Sequence, residues 1–202
     1  MESPEIHPVH AGHGGGARWL EITASVAALV VSFASIFIAV QHGKTMEKLV
    51  TANSVPYIEA GYSNATEDGK ARLMINMFNM GVGPAHEKSF RMKLRGRYVR
   101  SVKDMIAVVC ADKAGDAGKV LKPYANTQHT RFIPARDKQI VFFIDKTPAN
   151  ASYWDALDKA SSSLSVEICY CSVFDECWRR VDDDEPKAVK RCDRDEATEF
   201  RP

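Results

Sequence analysis

Residues Ile22 to Val40 form an unbroken stretch of 19 residues without a charge, ITASVAALVVSFASIFIAV. At 1.5 Å per residue it makes a helix of about 28 Å, close to the ~30 Å hydrocarbon thickness of a bilayer. A chain carrying such a run must either place it in lipid or bury it whole. Arg18 and Trp19 precede it, and Gln41, His42 and Lys44 follow it, so both ends suit a membrane interface. A cleaved signal peptide predicts a basic leader, a shorter apolar core and small residues before the cut. Here the leader carries Glu2 and Glu5, and no A-x-A pattern follows the run. A buried helix of a soluble core is usually shorter. The run reads as a permanent single span over residues 18–41.

Flanking charge orients a span. One basic residue, Arg18, lies before the run, against Lys44 and Lys48 after it. That bias of one charge predicts the large domain on the cytoplasmic side. Within the span Ala24, Ala28, Ser32, Ser35 and Ala39 recur every three or four residues and share one helix face. Small side chains let backbones approach in lipid, so this face is a candidate for packing on a partner helix or a second copy.

Residues 1–17 lack apolar periodicity and read as a flexible tail. His7, His10 and His13 could meet a metal, but such a tail offers its ligands no supporting shell. Residues 42–55 read as a juxtamembrane helix and linker, ended by Pro56, which disfavours helix at Val55. From Pro56 the pattern is mainly β. Period-two alternation marks strands over Arg72–Asn79, Lys88–Arg95 and Leu164–Cys171, with a first strand at Tyr57–Tyr62. The apolar run Gln139–Asp145 predicts a strand buried on both faces, and a turn at Phe174–Glu176 predicts a hairpin returning through Cys177–Val181. Two helical insertions are expected, at Val99–Val109 and near Pro148–Ala160, the second capped by Ser152-x-x-Asp155. These elements predict an antiparallel β-sandwich over residues 56–181. Beyond Val181, 13 of 21 residues are charged, which predicts a solvated, disordered tail over 182–202.

Pro56 opening a strand after a membrane helix, Asn79-x-Gly81-x-Gly83-Pro84-Ala85, and the late Tyr170-x-Ser172-Val173…Trp178 hairpin together resemble bacterial single-span membrane proteins with a C-terminal immunoglobulin-like β-sandwich. The resemblance covers about residues 18–181. It implies the architecture and a bacterial inner-membrane location, and it carries over no catalytic residues. The Asn-x-Gly-x-Gly-Pro-Ala stretch reads as a turn. A phosphate-binding loop needs a strand-to-helix transition that does not follow here.

Five cysteines leave several chemistries open. Cys169, Cys171, Cys177 and Cys192 give C-x-C-x5-C-x14-C, enough thiolates for a tetrahedral zinc site in principle, although the usual knuckle is C-x2-C. Reduced structural thiols are the leading expectation for a cytoplasmic domain, and disulfides are favoured if the domain faces an oxidising compartment. Catalysis has no signature: the domain holds only His86 and His129, and no hydrolase, metalloprotease, Walker or dinucleotide motif occurs. No cofactor or small-molecule substrate is expected.

Between Lys88 and Lys103 lie seven basic residues and no acidic one: Lys88, Arg91, Lys93, Arg95, Arg97, Arg100 and Lys103. This cluster is the candidate partner surface. It would attract anionic lipid, an acidic protein or the chain's own acidic stretch at Asp182–Glu185, unless it is simply a solvated strand face. With 27 Lys+Arg against 26 Asp+Glu, and no aromatic platform in the cluster, nucleic-acid binding is not expected. The expected function is a non-catalytic, membrane-anchored interaction module or accessory subunit that meets the bilayer and a protein partner, or self-associates through its span. The rival is a metal- or redox-responsive anchored domain using the C-terminal cysteines.

Overall fold

A computed structural model of the chain describes residues 15–125 and 132–201. The histidines at 7, 10, 13 and 129 lie outside the described residues. The chain divides into two compact units, Met1–Val50 and Thr51–Pro202.

The first unit is built on α1, Gly15–Ala52, 38 residues in one helix. It runs past the expected end of the span because Gln41–Ala52 contains no proline and Gly43 alone does not break a helix. Its apolar side chains are open to the surroundings: Trp19, Leu29, Phe33, Phe37 and Ile38 are all more than half exposed. The helix is long and apolar enough to cross a membrane, with none of its most apolar window buried. The hydroxyls of its apolar stretch are satisfied within the helix itself. Ser25 donates to the Glu21 carbonyl, Ser32 to Ala28 and Ser35 to Val31. That leaves those hydroxyls paired, as an apolar medium requires.

The second unit contains, among the described residues, ten strands and three helices. In chain order these are β1 (Ile58–Ala65), β2 (Ala71–Asn79), β3 (Ala85–Leu94), β4 (Arg97–Val99), α2 (Val102–Cys110), α3 (Ala114–Val120), β5 (Tyr124–Ala125), β6 (Phe132–Ile133), β7 (Lys138–Asp145), α4 (Ala151–Ala160), β8 (Leu164–Cys171), β9 (Cys177–Val181) and β10 (Lys187–Val189). They make two antiparallel sheets. One has the order β1-β2-β7-β5; the other runs β10-β9-β8-β3-β4, with β6 also on β3. One apolar cluster draws on both sheets and the helices, including Ile58, Ile75, Met77, Phe90, Met92, Ile144, Ile168 and Leu157.

The alternation expected from sequence holds where one strand face meets that cluster. Leu73, Ile75 and Met77 of β2 are buried, as are Phe90, Met92 and Leu94 of β3. In β7 the expected two-sided burial is only partial: Ile140 is exposed, and the pairing with β2 slips between Ile75 and Asn76. The strand read as Lys88–Arg95 instead ends at Leu94. Arg95 and Gly96 both take positive φ, 52° and 76°, and form a two-residue hairpin to β4. Helix α2 starts at Ser101, whose hydroxyl accepts from the Asp104 amide at 3.1 Å. The expected Ser152 cap of α4 is replaced by Asn150, which ties Thr147 N (2.8 Å) and the Asp145 carbonyl (2.9 Å) together ahead of the helix.

Asn79 shows why the Asn-x-Gly-x-Gly-Pro-Ala stretch is a structural turn. It is fully buried. Its Oδ1 accepts from Tyr57 N at 3.2 Å and Gly81 N at 3.0 Å. Its Nδ2 faces the carbonyls of Gly83 (2.9 Å), Ile133 and Pro134 (3.1 Å each). One amide thus joins the incoming linker, the β2–β3 turn and β6. Both glycines are required by close approach: a Cβ at Gly83 would lie 2.1 Å from the Ser54 carbonyl oxygen, and one at Gly81 2.4 Å from Tyr57 N.

The segment 182–201, expected to be a disordered tail, is folded onto the domain. Asp182 accepts from the Val166 amide (2.7 Å) and the Ser165 hydroxyl (2.9 Å). β10 pairs with β9, and the chain then crosses to β3. There Phe200 N donates to the Phe90 carbonyl at 2.9 Å, and the Phe200 ring enters the core 6.1 Å from Phe90 and 5.7 Å from Phe142. The edge of β3 is thereby completed by β6 near residue 86, by residues 199–200 in the middle, and by β4 at its end. Charge composition misleads here because one buried aromatic and a cystine anchor an otherwise polar strap.

Candidate functional site

Strand β8 turns alternate residues to opposite faces, so Leu164, Val166, Ile168 and Tyr170 share one face and Ser165, Glu167, Cys169 and Cys171 the other. Both cysteines on that second face are oxidised: Cys169 is bonded to Cys192 and Cys171 to Cys177. The Cys171 bridge closes the β8–β9 hairpin, whose register puts Cys171 opposite Cys177. The Cys169 bridge fastens the strap to the middle of the sheet. This corrects the expectation of reduced structural thiols. The two residues of C-x-C place their sulfurs side by side, and two later elements bring a partner to each.

The bridges are neighbours. Cys171 Sγ lies 3.9 Å from Cys192 Sγ, and the sulfurs of Cys171, Cys177 and Cys192 all fall within 4.8 Å of one another. Zinc binds thiolate sulfur, so Cys169, Cys171, Cys177 and Cys192 would have to be reduced before they could serve as ligands. The fifth cysteine, Cys110 at the end of α2, is free and half-buried. Burial pushes its thiol above the usual range, partly offset by Arg95.

Around the bridges the sheet is strongly polar. His86 pairs with Cys171 across β3 and β8, and the Lys88 ammonium lies 3.0 Å from His86 Nδ1. Cys169 pairs with Ser89 on one side and Arg179 on the other. An open cleft of about 440 Å³ lies over this region, lined by Arg91, Glu167, Cys169, Arg179 and Arg191 among others. The apolar pocket lined by Tyr62, Leu73, Phe142 and Leu157 holds about 20 Å³. That is room for one water and not for a substrate.

The basic cluster does not form one open patch. Arg91 is at its centre and is consumed internally: it meets Glu167 and Glu199 at 3.4 Å each and donates to the Asp193 carbonyl at 2.6 Å. Glu199 is buried and also accepts from the Ser89 hydroxyl and the Phe90 amide. The chain's own C-terminal segment therefore does dock on the cluster, through Asp193 and Glu199 rather than Asp182–Glu185. Lys93 lies over the Tyr98 ring at 4.6 Å, and Lys88 is taken up with His86. Arg95, Arg97, Arg100 and Lys103 remain exposed around the β3–β4 turn and α2. On α1, Ala24, Ala28, Ser32, Ser35 and Ala39 are all exposed.

No protein-family model matches the chain, and no curated protein or solved structure is significantly similar to it.

Proposed function

We propose that this protein is a single-span, membrane-anchored interaction module whose β domain faces an oxidising compartment, as in the periplasm of a bacterial inner-membrane protein. The observation that carries this reading is the pairing of an unburied apolar helix with a domain holding two disulfides. Disulfides persist outside the reducing cytosol. Two of them weigh more than the single extra basic residue that favours a cytoplasmic domain. The two sheets around a shared core are compatible with a β-sandwich of immunoglobulin type. The small-residue face of α1 supplies the contact to a partner helix or a second copy, and the exposed Arg95, Arg97 and Arg100 supply a surface for acidic groups. Site-specific crosslinking in native membranes tests this. A crosslinked species through a photoreactive residue placed at Ser35 that disappears when Ala28→Leu/Ser32→Leu is added supports the reading, and its absence with Ala28 and Ser32 intact contradicts it.

A second reading, a redox-responsive anchored domain, is favoured by one observation: the fold gathers four cysteines into two touching bridges. Zinc binding in the reduced state would belong to this reading. A zinc assay on the reduced, refolded chain tests it.

A further inference from the structure

We propose that the two bridges form a thiol–disulfide exchange relay, in which a dithiol reductant enters at Cys177 and the reducing equivalents emerge at Cys169. This rests on the redox reading above and names its route and co-substrate class.

The entry point follows from the turn beside Cys177, since both cysteines of the hairpin bridge are themselves buried. Cys171 is 2% exposed and Cys177 8%, and Cys177 ends the open turn Val173–Glu176, whose four residues are all exposed. A donor thiolate attacks Cys177 Sγ, the Cys171–Cys177 bond breaks, and Cys171 leaves as a thiolate while the donor is held on Cys177 as a mixed disulfide. His86 stands opposite Cys171 with the Lys88 ammonium beside it, a setting that favours the anionic sulfur.

The second step starts from sulfurs that already touch. Cys192 Sγ is 3.9 Å from Cys171 Sγ. The Cys171 thiolate attacks it, a Cys171–Cys192 bond forms, the Cys169–Cys192 bond breaks, and Cys169 leaves as a thiolate. A leaving thiolate departs faster when it is stabilised. Cys169 has Arg179, itself paired with Glu167 at 2.9 Å, as its cross-strand neighbour and lines a cleft in which Arg91, Arg179, Lys190 and Arg191 outnumber Glu167 and Asp193. The donor's second thiol then attacks the donor sulfur of the mixed disulfide and frees Cys177. The balance is one dithiol converted to a disulfide, with two electrons and two protons delivered to Cys169 and Cys177. Cys192 is bonded before and after, so the strap stays covalently attached throughout.

The test is disulfide mapping of the full-length chain in detergent after limiting dithiothreitol, with acid quench and thiol labelling. We expect singly reduced molecules to contain a Cys171–Cys192 peptide, with label shifted from Cys171 to Cys169 and retained on Cys177. Labels confined to the original pairs, Cys171 with Cys177 or Cys169 with Cys192, would overturn the relay while leaving the disulfide-bonded domain intact. Five labelled thiols before any reductant is added would overturn the relay and the oxidised domain together. Cys177→Ala gives a second measurement, because it removes the partner of Cys171 and leaves its thiol to attack Cys192. Exchange predicts a mixture of Cys169–Cys192 and Cys171–Cys192 at pH 8. Cys169–Cys192 alone, in a chain with unchanged tryptophan fluorescence, contradicts it.

Discussion

Glu199 sits against Arg91, its Oε1 3.4 Å from the guanidinium Nε, although 108 residues separate them along the chain. The same carboxylate caps the Ser89 hydroxyl and the Phe90 amide, and it is almost wholly buried. A carboxylate buried with three donors is worth most when all of them are present. Glu199→Ala strands the Phe90 amide and the Arg91 guanidinium in the strap interface. We expect a loss of about 1–3 kcal/mol, read as a lowered denaturation midpoint of the detergent-solubilised chain.

Phe200→Ala tests the strap from the apolar side. The ring fills space between Phe90 and Phe142 in the shared core. Truncating a buried phenylalanine costs about 3–5 kcal/mol. Chemical denaturation should show a loss of that order, whereas a charged, disordered tail would show almost none.

Asn79→Ala removes the amide that holds linker, turn and β6 together. It leaves buried amides and carbonyls without partners, for an expected cost of about 2–4 kcal/mol. Asn79→Asp keeps the acceptor for Tyr57 N and Gly81 N and loses the donor, so it should also destabilise. Thermal melts of both variants check the assignment.

Cys110 gives a pH dependence of known sign. Its thiol is harder to ionise in the folded chain than in the unfolded one, because burial raises it. Its contribution is therefore fully present below the unfolded thiol value of about 8.5, and it falls as pH rises above that. Stability should decline more steeply above that pH in the natural chain than in Cys110→Ala, measured by urea midpoints. Labelling at pH 7 should be slower than for a free thiol.

Much of the architecture is legible in the sequence where a single period governs. The 19 uncharged residues of α1, the alternation of β2 and β3, and the β8–β9 hairpin each declare themselves locally. What was not legible depends on long-range partners. Arg95-Gly96 carries a hairpin without the Asn-Gly or Asp-Gly that usually marks one. β10 is three residues long, and only its pairing with β9 defines it. The strap reads as solvent-facing because Phe200 is one aromatic among charges. The C-x-C pair shows two sulfurs on one face and the expected hairpin returns Cys177 beside it, but nothing near it in the chain announces that Cys192 arrives as a partner. Arg91 looks like part of a docking patch until Glu199, from the far end, neutralises it.

The most direct measurement is the intact mass of the chain recovered from carbonate-washed membranes after alkylation without reductant. We expect it in the membrane fraction, carrying residues 18–41 and a single label, on Cys110, with the other four cysteines bridged. Recovery in the soluble wash, a chain trimmed behind Val40, or five labels would contradict an oxidised domain held permanently in the membrane.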